Sequence, residues 1–246
     1  MAPIVFWAQG PVATVQKGKV FAFYDYQIKN GLGMREAFDA GYGRDLEWHR
    51  AQGDQWAWIG WYVINGERRD WFIDASPDHQ WSDFDSWNIS GAENSRLNKI
   101  HWTPYVEDAQ GSYRTVLSEF SNEREDWYRS KFLQVHHLEV SPLQEKDFLA
   151  FLKNFRPFLE SLLGETAFVW MKTDSGGAAH GYLLLIAVDQ LVQMERVSGI
   201  FDPKLLPDKL WDQYSGTVAR NVSEMWRYVP SLSLYPGDNR SPANKW

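Results

Sequence analysis

The chain repeats one order of predicted secondary structure in its two halves. Each half is predicted to contain a strand, a helix, two strands, a second helix and a closing strand. The first strands of the two halves, residues 19–28 and 131–140, are separated by 112 residues at both ends (131 − 19 and 140 − 28). Recurrence at one spacing indicates a duplicated structural unit. The sequence therefore predicts two tandem βαββαβ repeats and an α+β fold.

The first half supplies these elements with clear periodicity. Phe38, Tyr42 and Leu46 recur at helical spacing, which indicates an amphipathic helix that continues to Gln52. A turn at residues 65–68 separates two runs rich in β-branched and aromatic residues, a pattern typical of a hairpin. The predicted elements are strand 19–28, helix 34–52, strands 55–64 and 70–75, helices 81–87 and 94–106, and strand 113–120.

The second half contains the most regular helix of the chain. Ser141 and Pro142 form a helix start, and apolar residues occupy one face over four turns until Gly164. A glycine turn at residues 174–177 indicates the second hairpin. The predicted elements are strand 131–140, helix 142–163, strands 166–172 and 181–188, helix 205–220 and strand 224–235.

A four-stranded sheet with both helices on one face leaves its other face bare. A bare apolar face must be covered, and two such sheets can cover each other within one chain. The sequence therefore predicts an α/β barrel with either a cavity or a packed core between the sheets. The predicted organisation is an extension at 1–18, repeats at 19–125 and 126–236, and a tail at 237–246.

Three stretches resemble a known superfamily. They are the first strand Phe23-Tyr24-Asp25-Tyr26-Gln27-Ile28 running into Lys29-Asn30-Gly31, the aromatic strand from Trp56 to Tyr62, and the ending Met225-Trp226-Arg227-Tyr228-Val229-Pro230. Together with the repeat, they resemble the ferredoxin-like dimeric α/β-barrel superfamily, specifically NIPSNAP-like members, with both repeats in one chain.

The resemblance implies several activities. The superfamily includes cofactor-independent monooxygenases, polyketide cyclases, lactone isomerases, haem-dependent dismutases and peroxidases, and members with no assigned activity. Their chemistry generally uses the cavity between the sheets, but fold alone does not choose among these functions. The resemblance leaves open whether the tandem chain forms a homodimer.

Composition excludes other classes. The formal charge of −7 and the pI near 5.4 lack the basic character that nucleic-acid partners require. The chain has no cysteine, so disulfides and thiolate sites are excluded. Residues 1–14 carry no Lys or Arg at their start and are interrupted by Pro3, Gly10 and Pro11, so we expect no signal peptide and no membrane span. A cytoplasmic location is favoured, although a processed exported protein would look the same.

The candidate catalytic residues follow from strand alternation. Asp25 and Gln27 share one face of the first strand, and their repeat partners are His137 and Glu139. An imidazole oriented by a carboxylate is a plausible general base, with His137 as the base and Asp25 or Glu139 as its partner. Hydrogen bonding without chemistry is the alternative. A bulge would exchange these roles with Tyr24 and His136, so both remain candidates, and Tyr24 is also a candidate proton donor.

Aromatic residues make up 16% of the chain, which contains 14 Trp. Large rings either fill a core or line a pocket for a flat ligand. The predicted ligand is a small hydrophobic or aromatic molecule. The candidate binding residues are Trp58, Trp61, Trp81, Trp87 and Gln27.

No cofactor and no metal are expected. Haem needs an axial ligand, usually a His on a helix facing the cavity, and residues 205–220 contain none. His101 and His49 are the remaining haem candidates. No two histidines have the i, i+4 spacing of a helical zinc site, and glycine-rich nucleotide loops and a Gly-x-Ser-x-Gly elbow are absent.

Three hypotheses remain. The first is a cofactor-independent monooxygenase or cyclase/isomerase. The second is a non-catalytic NIPSNAP-like binding or scaffold protein. The third is a haem-binding protein. A pocket with His137 in its wall favours the first, and a filled barrel favours the second.

Overall fold

Eight strands form one closed antiparallel barrel in the computed structural model, which describes residues 19–87 and 91–236. The predicted extension at 1–18 and tail at 237–246 lie outside the described residues. The strands are β1 (Val20–Ile28), β2 (Ile59–Asn65), β3 (Phe72–His79), β4 (Val106–Val116), β5 (Phe132–Val140), β6 (Phe168–Ser175), β7 (Gly181–Val188) and β8 (Val218–Tyr228).

The helices follow the order that the repeat requires. They are α1 (Met34–Ala51), α2 (Trp81–Ser86), α3 (Gly91–His101), α4 (Glu145–Leu163), α5 (Met194–Val197) and α6 (Asp208–Thr217). In the described parts of the chain, none of these helices is long and apolar enough to cross a membrane.

The strand order confirms the predicted fold class. Around the barrel the strands run β1-β3-β2-β8-β5-β7-β6-β4. Each half therefore contributes four adjacent strands, β4-β1-β3-β2 and β8-β5-β7-β6. The halves join through the equivalent pairs β2–β8 and β4–β6, so neither sheet retains a free edge.

The strand registers repeat along with the sequence. Asp25 pairs with Gln110, and His137 pairs with Val222, so both partners are displaced by 112 residues. The hairpin pairs Ile59–Ala75 and Val169–Leu185 are displaced by 110 residues. The two repeats therefore superpose strand by strand, with two residues fewer between the first strand and the hairpin of the second repeat.

Alternation along the strands divides the apolar residues between two layers. The barrel interior is filled at its centre by the rings of Phe21, Phe23, Trp61 and Trp226, all at most 2% exposed. The outer face of each half packs against its own helices. α1 covers the first half through Phe38 and Tyr42, and α4 covers the second through a longer apolar face.

Several predicted boundaries were wrong. The predicted helix 94–106 ends at His101, and β4 begins at Val106 instead of residue 113. The first residues of β4 are polar and exposed, but they pair with β1 through backbone hydrogen bonds, which apolar periodicity does not detect. The last strand is likewise Val218–Tyr228 instead of 224–235, because a short 3-10 turn begins at Pro230.

We expect Gly41→Ala to reveal how closely α3 packs on α1. A Cβ atom at Gly41 would lie 2.0 Å from the carbonyl oxygen of His101, whereas one at Gly43, on the same helix, would meet nothing within 4 Å. Gly41→Ala should therefore lower the free energy of unfolding by about 1–3 kcal/mol. Gly43→Ala should be neutral, or stabilising by up to about 1 kcal/mol. Urea denaturation measures both, and equal stability of the two variants would contradict the packing described.

Candidate active site at one end of the barrel

Polar side chains from both halves meet at one end of the barrel. They surround a cavity of about 230 Å³ that is open to solvent on one side. The charged and titratable residues that line it include Asp25, Arg68, Arg114, His137, Glu139 and Glu224. Filled apolar layers lie beneath this cavity, so it is the polar end of an otherwise packed barrel.

Strand alternation explains this arrangement. On β1 the inward residues are Phe21, Phe23 and then Asp25, and on β5 Leu133 and Val135 precede the inward His137. Each strand thus contributes apolar residues to the barrel centre and a polar residue to its end. The predicted face of Asp25 and His137 is confirmed, and no bulge exchanges it with the face of Tyr24 and His136.

Arg68 links the two halves across the cavity. It lies in the turn between β2 and β3, and its Nη1 atom donates to Asp25 Oδ2 at 2.5 Å. Its Nε and Nη2 atoms donate to the two carboxylate oxygens of Glu224 on β8, at 2.9 and 2.8 Å. Such two-point contacts fix both position and orientation. Arg68 therefore holds one carboxylate from each repeat.

Glu224 is almost fully buried, with 3% of its surface exposed. Burial raises the pKa of its carboxyl group, but hydrogen bonds from His137 and Arg68 outweigh burial and hold that pKa well below its usual range. Trp226 Nε1 donates to the same carboxylate at 2.9 Å. Glu224 is therefore a fixed negative charge at the cavity wall.

His137 lies against this carboxylate. Its Nε2 atom is 3.2 Å from Glu224 Oε2 and 3.2 Å from Arg68 Nη2. Burial lowers the pKa of His137, the charges of Arg114 and Arg68 lower it further, and Glu224 opposes them. The imidazole is therefore neutral at neutral pH, the state in which it can accept a proton.

Arg114 is the cation of this cavity that has no ion-pair partner. Its Nε atom donates to Ser112 Oγ at 3.2 Å, and its guanidinium carbon lies 5.2 Å from the centre of the Phe23 ring. Within residues 19–87 and 91–236, no carboxylate oxygen lies within 4 Å of its nitrogens. Burial lowers its pKa, since a desolvated cation is less stable. A desolvated guanidinium of this kind attracts an anion.

The other predicted catalytic residues have different positions. Glu139 lines the cavity, but its carboxylate pairs with Arg220 at 3.2 Å. Tyr24 and His136 lie on the outer face of the sheet, against Trp58 and Phe201 respectively, so the bulge that would have brought them into the barrel cavity is not found between Tyr24 and Asp25 or between His136 and His137. Burial lowers the pKa of His136 to about 4.

The predicted tryptophan wall is absent from this cavity. Trp61 is packed in the barrel centre, 5.8 Å from the ring of Trp226. Trp58 and Trp87 line a separate space beneath α1 and α3, and Trp81 is half exposed against Tyr113. Gln27 reaches Glu107 at the end of its strand. The barrel cavity is thus polar because the large rings are used for packing on both sides of the sheet.

Sequence reasoning missed Arg68, Arg114 and Glu224. The sequence did contain a signal for Arg114 and Glu224, which lie on the closing strands of the two repeats. The 112-residue spacing relates Ser112 to Glu224 and Arg114 to Trp226. Applying that spacing to β4 and β8 would have placed these four on one face. Arg68 lies in a turn, where no periodicity applies. Across the described part of the chain, no group of three or more His, Asp or Glu residues could hold a metal ion.

Comparisons with solved structures find full-length matches at low identity. An anthrone oxidase-like protein matches with a TM-score of 0.63 and 11% identity over 92% of this chain and 97% of its own. A candidate monooxygenase from Lactobacillus acidophilus NCFM matches with a TM-score of 0.58 and 8% identity, over 89% and 97%. A chlorite dismutase from Candidatus Nitrospira defluvii matches with a TM-score of 0.55 and 8% identity, over 88% and 93%.

The likeness is one of fold. No family model matches the sequence, and no curated protein matches it. The chain thus shares the α/β-barrel fold of these structures along nearly its whole length, as the repeat predicted.

We expect His137 to titrate below 6.5 and to titrate lower still in Glu224→Gln. The carboxylate of Glu224 stabilises the imidazolium, so its loss favours the neutral ring. Histidine side-chain NMR against pH measures both values. Glu165→Gln, which removes a fully exposed carboxylate, should leave the titration unchanged. A higher pKa of His137 in Glu224→Gln would contradict the arrangement.

Proposed function

We propose that this protein is a cofactor-independent enzyme that removes a proton from a small acidic organic molecule, as in a monooxygenase or a cyclase/isomerase. The observation that carries the proposal is the juxtaposition, in one cavity, of a neutral His137 held by Glu224 and of Arg114, whose positive charge has no carboxylate partner in the part of the chain that the structure describes. A base beside an unpaired cation is suited to making and holding an anion.

The residues divide the work as follows. Glu224 accepts the Nε2 proton of His137, which leaves Nδ1 as the proton-accepting nitrogen of the neutral ring. His137 then takes a proton from a phenolic oxygen or from a carbon beside a carbonyl group. Glu224 stabilises the imidazolium that forms, and Arg114 stabilises the substrate oxyanion. Arg68 pairs with both Asp25 and Glu224 and holds the two carboxylates in place.

The cavity narrows the class of substrate. Its volume of about 230 Å³ is below the ~300–1,000 Å³ typical of sites for drug-sized ligands. Its walls carry charged groups, and the candidate tryptophans lie elsewhere. These features favour a small, acidic phenol, enol or β-keto compound within the class of small hydrophobic or aromatic molecules expected from the sequence. The fold shared with an anthrone oxidase-like protein and a candidate monooxygenase supports the same class of chemistry.

The test is turnover of a panel of small phenols, enols and β-keto acids, followed by oxygen uptake and product analysis. His137→Ala should lower turnover at least about a hundredfold, the usual scale for loss of a general base. Arg114→Met, which keeps an unbranched side chain without the charge, should lower turnover by about ten- to a hundredfold. It should also raise the pKa of His137, because the Arg114 charge disfavours the imidazolium. His101→Ala removes a histidine outside the cavity and should have no effect. Unchanged turnover in His137→Ala would contradict the proposal.

A non-catalytic, NIPSNAP-like scaffold is the second candidate. The filled centre of the barrel favours it, because aromatic rings there serve packing and leave a modest cavity. The two candidates differ in the panel above. A scaffold turns over none of the compounds. Phenolate analogues should leave its free energy of unfolding unchanged, whereas an anion site at Arg114 would bind them and stabilise the protein.

Haem fits the residues poorly. In the second half, the space between helix and sheet is filled by Phe148, Phe155, Trp170 and Leu184, all fully buried. In the first half, both ring nitrogens of His49 are already engaged: Nδ1 lies 2.8 Å from Asp54 and Nε2 lies 3.4 Å from Asn94 Nδ2. His101 accepts from Arg44 and does not line the neighbouring cavity. These observations argue against haem, and a Soret band in purified protein would overturn that conclusion.

A further inference from the structure

The two repeats differ sharply beneath their first helices. At a displacement of 110 residues, the buried positions of α1 and α4 coincide, for example Phe38 with Phe148 and Tyr42 with Leu152. At the same displacement three polar residues of the first repeat correspond to apolar residues of the second. These pairs are Asp45 with Phe155, His49 with Leu159, and Asp74 with Leu184.

This difference matters because both sets are buried. Phe155, Leu159 and Leu184 are fully buried in a packed layer. Asp45, His49 and Asp74 are 6%, 3% and 3% exposed, so their polar groups have also left water. The second repeat shows that this fold needs no polar group at these positions. Burying carboxylates there is costly, and a purely structural role does not account for it.

The polar residues of the first repeat surround a separate cavity. It measures about 210 Å³ and lies between the outer face of the sheet and helices α1 and α3. Asp45, His49, Asp74, Asn94 and Asn98 line it. Leu46 and six aromatic residues also line it: Tyr24, Tyr26, Tyr42, Trp58, Trp87 and Trp102.

Several polar atoms of this wall lack a partner. Within residues 19–87 and 91–236, Asp45 Oδ1, Asp74 Oδ1 and Asn94 Oδ1 are buried acceptors without a hydrogen bond, and Trp87 Nε1 is a buried donor without one. Buried polar atoms are almost always paired in native proteins, and each exception calls for an explanation. Four exceptions around one cavity indicate a ligand that presents donors to the three oxygens and an acceptor to Trp87.

The charge of the wall selects the sign of that ligand. Two carboxyl groups line the cavity, and among the described lining residues there is no Lys or Arg. Burial, above all, raises the pKa of Asp45 to about 6 and that of Asp74 to about 8. A bound cation would restore the charge of both carboxylates, so the cavity favours a positive ligand.

The aromatic rings select an organic cation over a metal ion. Metal sites need several oxygen or nitrogen ligands at close range, and no such group of three His, Asp or Glu residues exists among residues 19–87 and 91–236. Tyrosine and tryptophan faces instead attract ammonium groups, most strongly where water is excluded. We infer that this pocket binds a small organic ammonium ion, with its charge between Asp45 and Asp74 and with a hydrogen-bond acceptor of the ligand facing Trp87.

The first test compares two probes of equal shape. Choline carries a quaternary ammonium and a hydroxyl group, and 3,3-dimethylbutan-1-ol replaces its charged nitrogen by carbon. Titration calorimetry and tryptophan fluorescence should show saturable binding of choline, and affinity for the neutral alcohol should be at least about tenfold weaker. Ethanolamine, a smaller primary ammonium ion, carries the N–H donors that choline lacks, so it should bind at least as tightly as choline.

The variants separate binding from folding. Asp74→Leu introduces the residue that the second repeat uses, so it should fold, and it should weaken choline binding at least about tenfold. Asp74→Asn keeps the shape and removes the charge, with the same expected loss of binding. Asp85→Asn, on α2, removes an exposed carboxylate of equal charge and should bind choline like the unmodified protein.

The pH dependence gives an independent readout. The titratable groups that face Asp74 are Tyr24 and Tyr26 on β1, and Tyr42, Asp45 and His49 on α1. Because Asp74 ionises as the pH rises through about 8, choline should bind more tightly at about pH 9 than at about pH 7. The Asp74→Asn variant should lose this difference.

Two results would overturn the inference. One is the absence of saturable binding of choline and ethanolamine up to about 10 mM, well above a millimolar dissociation constant. The other is equal affinity for choline and its neutral isostere. Neither result bears on turnover in the barrel cavity, because His137 lies on the opposite face of the sheet.

Discussion

The structure depends on covering the helix-free face of each four-stranded sheet. A ferredoxin-like repeat buries one sheet face beneath its helices and leaves the other apolar and bare. Here the second repeat supplies the cover, and Phe21, Phe23, Trp61 and Trp226 fill the space between the sheets. Closure through the β2–β8 and β4–β6 pairs removes the free strand edges at the same time. The high aromatic content is thus explained first by packing.

Barrel closure also determines where charged side chains can lie. The centre is filled by apolar side chains, so charged side chains lie at the open end of the barrel. Arg68 offsets the burial of two carboxylates, one from each repeat, and Glu224 in turn holds His137. Arg114 is left as a cation without a carboxylate partner within the described residues. The proposed chemistry therefore arises from a charge arrangement that neither half contains alone.

The repeat made much of the fold predictable. Alternation on β1 and β5 correctly placed Asp25 and His137 on the inner face, because strand period and register are fixed wherever a face is buried. The same reasoning failed for the start of β4, where exposed polar residues pair through their backbones, and for Arg68, whose turn has no period. It left open whether Trp58 or Trp61 faces the barrel interior, because a sequence shows which residues share a face of a strand but not which face the helices cover. Trp87, expected at the mouth of the barrel, lies beneath α1 and α3.

Duplication left two layers free to diverge. The second repeat has an apolar layer around Phe155 and Leu184, and the first repeat has Asp45 and Asp74 at the equivalent positions, around a cavity. One barrel can thus carry an inner site shared by both halves and an outer site that belongs to one half.

The central claim is that Arg68 couples carboxylates of the two halves in one compartment. A double-mutant cycle on Asp25→Asn and Glu224→Gln, measured as free energy of unfolding, tests it most directly. The account predicts a coupling energy of at least about 1 kcal/mol, because both carboxylates contact one guanidinium. Effects that add within about 0.3 kcal/mol, as for distant independent sites, would contradict it.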